Sequence, residues 1–169
     1  GTTKIANCSV SYNGGSAGIF AYNYQSGNEV TIVNNTIANH SGKGVYVYQN
    51  AHMGTAVISD NNITNNRGSG IYASGSGLFT ITGNTINGNY RGVYVESNAV
   101  ITNNIIVHNS AGYYGYSGAG IYASGYYSSY PLTITNNVIA NNIGQSGAAL
   151  YLYSSSYSIL TVSQNSIIE

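Results

Sequence analysis

Charge is what this sequence has least of. Asp, Glu, Lys and Arg make up 5% of its 169 residues, where an average domain carries about 25%. Four basic residues (Lys4, Lys43, Arg67, Arg91) are balanced by four acidic ones (Glu29, Asp60, Glu96, Glu169). No basic stripe is left to neutralise a phosphate backbone, so neither nucleic acid nor anionic membrane is expected as a partner. Tryptophan is absent and proline occurs once. The single cysteine, Cys8, excludes an internal disulfide and says nothing of the redox compartment. No apolar run approaches the roughly 18 residues of a membrane span, and no charged-then-apolar leader opens the chain, so membrane insertion is not expected.

What is abundant is polar without being charged. With 22 Gly and 18 Tyr, and Asn, Ser and Thr throughout, solubility rests on amides and hydroxyls. That balance suits an extracellular or cell-surface protein better than a cytosolic enzyme. Glycosylation sequons at Asn7, Asn34, Asn39 and Asn62 decide nothing, because a chain of this composition produces them by chance. The length fits one domain, residues 1–169, within the usual range of roughly 100–200 residues.

An internal repeat settles the fold class. Ile32-Val33-Asn34-Asn35-Thr36-Ile37 returns as Ile58–Ile63, Ile81–Ile86, Ile101–Ile106, Ile134–Ile139 and Val162–Ile167, with a degenerate first copy at Ile5–Val10. Cys8 and the fixed amides Asn35, Asn61, Asn84, Asn104, Asn137 and Asn165 are spaced by 27, 26, 23, 20, 33 and 28 residues. A second polar position follows at Asn13, His40, Asn66, Asn89, Asn109 and Asn142. Later in each copy comes a Gly-apolar-aromatic step, from Gly18-Ile19-Phe20 to Gly120-Ile121-Tyr122, with Ala149-Leu150-Tyr151 as a variant. Apolar and polar residues alternate, as in Val45-Tyr46-Val47-Tyr48, which is the two-residue period of a strand. Strands of about three to five residues cannot stand alone, but parallel stacking of equivalent strands gives each one partners above and below. The expected architecture is a solenoid of about seven coils, with the fixed Asn at a turn, tolerating a left-handed backbone and hydrogen-bonding up its column.

These repeats resemble the right-handed parallel β-helix of the pectate-lyase-like superfamily over essentially the whole chain. The resemblance implies an all-β fold with three short strands per coil and internal Asn ladders. It does not bring the family's chemistry with it. Family lyases hold calcium in a cluster of carboxylates, and family hydrolases place two or three Asp within about 5–10 Å. Here Glu29 falls just before a first strand, Asp60 at a turn, Glu96 just beyond a third strand and Glu169 at the terminus, so no two are expected to share a face. His40, His52 and His108 fall in different parts of different coils, and Cys8 stands in for a ladder Asn as a small buried thiol. No catalytic site, metal site or cofactor is expected.

Three surface features remain. Strand alternation turns Phe20, Tyr46, Tyr72, Tyr94, Tyr122 and Tyr151 outward, one per coil at about 4.8 Å, with a partial second row at Tyr22, Tyr48 and Tyr153. Such a ladder either stabilises the sheet or serves lateral contact with a subunit or a glycan. Further tyrosines fall in loops, at Tyr24, Tyr113, Tyr114, Tyr116, Tyr126, Tyr127, Tyr130 and Tyr157. Outward pairs from Thr31/Val33 to Thr161/Ser163 resemble the columns of ice-binding solenoids but are interrupted by Val and Ser. No capping helix or charge run blunts either end, so head-to-tail self-association is expected through Thr3, Ile5, Val10, Ile19, Leu160, Val162 and Ile167. The functional expectation is a non-catalytic extracellular subunit stacking end to end into a fibre, with a carbohydrate-binding or degenerate lyase-like module as the alternative.

Overall fold

A computed structural model describes residues 1–50, 54–112, 117–125, 132–154 and 159–168. His52, Met53, Glu169 and the loop tyrosines Tyr113, Tyr114, Tyr116, Tyr126, Tyr127, Tyr130 and Tyr157 lie outside the described residues.

Short β-branched strands that alternate apolar and polar positions bury one face only when equivalent strands stack, and the described strands stack in parallel. A first column contains Thr2–Ala6, Glu29–Val33, Thr55–Ser59, Leu132–Thr135 and Leu160–Ser163. A second runs through Ser9–Ser11, Thr36–Ala38, Asn62–Thr64, Thr85–Asn87, Ile105–Val107, Val138–Ala140 and Ser166–Ile168. A third holds Ala17–Asn23, Lys43–Gln49, Ile121–Gly125 and Leu150–Ser154. The strands Ser69–Thr82 and Arg91–Thr102 each join the third column to the first without a break. This departs from the expected three short strands. These two strands belong to the coils whose ladder Asn are only 23 and 20 residues apart, which leaves no loop to interrupt the chain. The solenoid makes about six turns rather than seven, because the last repeat supplies strands of the first and second columns only.

The register places like on like. Ile5, Ile32, Ile58, Ile81, Ile101, Ile134 and Val162 form one interior column. Val10, Ile37, Ile63, Ile86, Ile106, Ile139 and Ile167 form the next. Ile19, Val45, Ile71, Val93, Ile121 and Leu150 form the third. The middle members of all three are fully buried, each worth about 1.5–3 kcal/mol in apolar transfer. Phe79, the one large aromatic in the core among the described residues, has Ala56 on the strand to one side and Ala99 on the other, so volume is balanced across neighbouring rungs.

Two amide ladders run inside the turns. In the first, Asn84 Oδ1 accepts from both the backbone N–H and the Nδ2 of Asn61, while Asn84 Nδ2 donates to Ile58 O and to Asn104 Oδ1. Asn35, Asn61, Asn104 and Asn137 repeat the pattern. The second runs through Asn66, Asn89, Asn109 and Asn142 in the same way. The left-handed backbone is not at the ladder Asn, as expected, but one residue earlier, at Asn34, Asp60, Gly83, Asn103, Asn136 and Gln164, with φ of 54–68°. The two jobs are divided: one residue bends the chain, and the next turns its amide inward.

The Gly of the Gly-apolar-aromatic step has a steric cause. A Cβ on Gly92 would lie 2.5 Å from both Gly120 O and Ile106 Cγ2 and 3.1 Å from Asn109 Nδ2. The backbone there passes directly over the interior isoleucine and the second amide ladder, and Gly44, Gly70 and Gly120 meet the equivalent atoms. In the second coil His40 takes the amide's place. Its Nδ1 accepts from the Asn13 N–H at 3.1 Å and its Nε2 lies 3.0 Å from Val10 O, so those partners put the ring proton on Nε2. Gly18 makes room for the larger ring.

Candidate functional site: the tyrosine column

Successive third-column strands pair in register, so alternation sends Phe20, Tyr46, Tyr72, Tyr94, Tyr122 and Tyr151 outward in one line. Tyr72–Tyr94, Tyr94–Tyr122 and Tyr122–Tyr151 stack face to face, with centroids 4.8, 4.4 and 5.3 Å apart and planes within 8°. Tyr46 stands edge-on to Tyr72 at 87°, and Phe20 is tilted on Tyr46. In the second row Tyr22 stacks on Tyr48 at 5.1 Å, while Tyr24 meets Tyr22 edge-on.

Stacking along the solenoid axis has a consequence for binding. Both faces of Tyr94 and Tyr122 are taken up by neighbouring rings, and there the surface receives phenol edges and hydroxyls. Sugar rings pack on exposed aromatic faces, and the rings stacked on both sides, Tyr94 and Tyr122, present their edges instead. Open aromatic surface survives at Phe20, Tyr22 and Tyr24, which are 54%, 46% and 70% exposed.

Three of the eight charged residues, Lys43, Arg91 and Glu96, border this face. Lys43 Nζ lies 5.1 Å from the centroids of both Tyr46 and Tyr72, and Arg91 Cζ lies 4.9 Å from Tyr94 and 5.8 Å from Tyr122. On the other edge Glu96 accepts from Tyr72 Oη at 2.8 Å and from Tyr94 Oη at 2.7 Å, one phenol on each oxygen. Burial, then the bond to the Glu96 carboxylate, then its charge push the Tyr72 and Tyr94 hydroxyls well above the ordinary phenol range. Tyr122 is raised too, chiefly by burial. Glu96 was expected just beyond a third strand and instead lies within Arg91–Thr102, because that strand runs on into the next coil. The signal that finds it is Tyr94-x-Glu96, two residues apart on one side of a strand.

The other candidates are spread over the molecule. Glu29 accepts from Thr31 Oγ1, and Asp60 occupies a left-handed turn. Among the described residues, no three His, Cys, Asp or Glu side chains come close enough to hold a metal. Cys8 is exposed rather than buried, and its N–H donates to Asn35 Oδ1. His108 sits in a left-handed turn 3.4 Å from Asn141 Nδ2. The Thr/Val/Ser pairs form two registered outward columns, with one hydroxyl contact between Thr102 and Thr135. Of the residues expected at the ends, Thr3, Val162 and Ile167 are exposed, Ile5, Val10 and Leu160 are half-buried against the core, and Ile19 lies within it.

Parallel ladders, stacked turns and a continuous interior column define a parallel β-solenoid. A family model described as a right-handed β-helix region matches residues 24–169, and the chain belongs to that family. Comparison with curated proteins and with solved structures gives no match.

Proposed function

We propose that this β-helix is a non-catalytic structural unit of an extracellular or cell-surface assembly, a rod that makes lateral contact through its tyrosine face and continues end to end with further coils. The observation that carries this reading is that the polar side chains are spent on one another. Ladder amides satisfy buried backbone, both Glu96 oxygens take phenols, and the central rings stack with their own neighbours. A surface built this way offers edges and hydroxyls suited to packing against a similar rod. Electron microscopy and sedimentation of the purified protein test it. Filaments or concentration-dependent association are expected, and isolated particles at every concentration would sink the reading.

A second reading has one observation of its own. The exposed rings of Phe20, Tyr22 and Tyr24 are a small aromatic cluster with open faces, which suits a carbohydrate. Under that reading, glycan-array binding is lost in the Tyr22→Ala, Tyr24→Ala double variant and retained in Tyr94→Phe.

A further inference from the structure

Of the few charged residues in the chain, Lys43, Arg91 and Glu96 all border the middle of the tyrosine column. Both carboxylate oxygens of Glu96 are taken by phenols. Phenols at a half-buried sheet edge can find water, yet both donate to one carboxylate, at 2.8 and 2.7 Å. What the carboxylate adds is a base in contact with each phenolic proton. A phenol that loses an electron becomes a very strong acid, so the electron leaves far more readily when the proton has an acceptor in place. The two rings are also stacked on each other, 4.8 Å apart with planes 7° apart, and they share that acceptor.

We propose that Tyr72, Tyr94 and Glu96 form a site of one-electron oxidation. A diffusible one-electron oxidant, such as an oxidised metal complex or the oxidised haem of a peroxidase, removes an electron from one ring as its phenolic proton passes to Glu96. The products are a neutral phenoxyl radical, a carboxylic acid and the oxidant reduced by one electron. Exchange between Tyr72 and Tyr94 moves one electron between the stacked rings while the proton on Glu96 returns to the first phenoxyl oxygen and the second phenol gives its proton to the same carboxylate. The radical ends by meeting a second phenoxyl radical. Their ortho carbons join, each displaced ring hydrogen leaves as a proton while each oxygen takes a proton back to become a phenol again, and the two phenols have together lost two electrons and two protons. The site is formed within a single chain, so the proposal does not rest on the structural role above.

Exposure alone gives the opposite ranking, since Tyr12 and Tyr24 are 80% and 70% exposed while Tyr72 and Tyr94 are half-buried. Flash photolysis of the whole protein with a ruthenium polypyridyl complex and a cobalt(III) ammine as electron sink separates the two. Transient absorption of the phenoxyl radical is expected to show a fast phase that slows in deuterium oxide. That phase falls several-fold in Glu96→Gln and in the Tyr72→Phe, Tyr94→Phe double variant, and persists in Tyr12→Phe, Tyr24→Phe. Circular dichroism checks folding, and the double Phe variant, which keeps the stacked rings, carries the test if Glu96→Gln does not fold. A fast phase that survives in the double Phe variant, or disappears with Tyr12 and Tyr24, overturns the proposal.

Discussion

At the scale of single residues, the ladder amides are the costliest groups to lose. Asn84→Ala removes the acceptor for two donors of Asn61 and the donor to Ile58 O, all in a buried turn. Unpaired buried groups of this kind cost about 1–3 kcal/mol each, so urea unfolding is expected to show a loss of at least about 3 kcal/mol. Tyr12 is the opposite case. It holds φ of 58° while 80% exposed, a left-handed conformation that a bulky side chain adopts at a cost and, at this exposure, with little packing to lose. Tyr12→Asn is expected to raise stability by about 1 kcal/mol in the same assay. The ladder positions were legible from the sequence because the amide recurs at every coil. Which member of each pair bends the chain was not, since Asn34-Asn35 offers two residues that both tolerate positive φ, and only the inward hydrogen bonds of Asn35 separate them. Cys8 misled for a related reason: its backbone occupies the ladder position, but Asn35 covers it from one side only.

Within the strands, the Gly steps and the tyrosine column fix how closely coils approach. Gly92→Ala drives a methyl to 2.5 Å from the Gly120 carbonyl, and a cost of about 2–3 kcal/mol is expected from overpacking. Gly14→Ala, whose nearest new neighbour is Ser41 Oγ at 3.9 Å, should change stability by less than about 0.5 kcal/mol. The column also confers a pH dependence with a definite sign. Tyr72 and Tyr94 ionise less readily folded than unfolded, so their contribution is fully present below the unfolded phenol value near 10 and is lost as pH rises above it. Thermal melting followed by circular dichroism from pH ~9 to pH ~11 should show a falling midpoint, shallower in the Tyr72→Phe, Tyr94→Phe double variant. Alternation alone placed the aromatic line correctly on the outside. It gave no ring orientations, which depend on what lies beside each ring: Lys43 next to the edge-on pair Tyr46 and Tyr72, Arg91 beside the parallel pair Tyr94 and Tyr122. The long strands escaped notice because periodicity marks where a strand repeats, not whether a loop separates two of them.

For the whole molecule, each coil touches only the coils next to it, so stability is close to a sum of coil and interface terms. Amide protection should therefore vary along the axis. Hydrogen exchange read by mass spectrometry at dilutions where single chains prevail is expected to be slower at Thr85–Asn87, which pairs on both sides with Asn62–Thr64 and Ile105–Val107, than at Ser166–Ile168, which is exposed throughout. Uniform protection would contradict nearest-neighbour stacking. The amide ladders carry a further consequence, for how such a chain changes over generations. From Asn61 to Asn137 each rung offers the next the same ladder amide, an interior isoleucine and, from the third column, an aromatic ring, so nothing in those contacts counts how many rungs there are. Copying or deleting one whole coil among those rungs alters the rod's reach by about 4.8 Å and rejoins amide to amide and isoleucine to isoleucine, which makes length a trait that recombination can set in steps of a single turn.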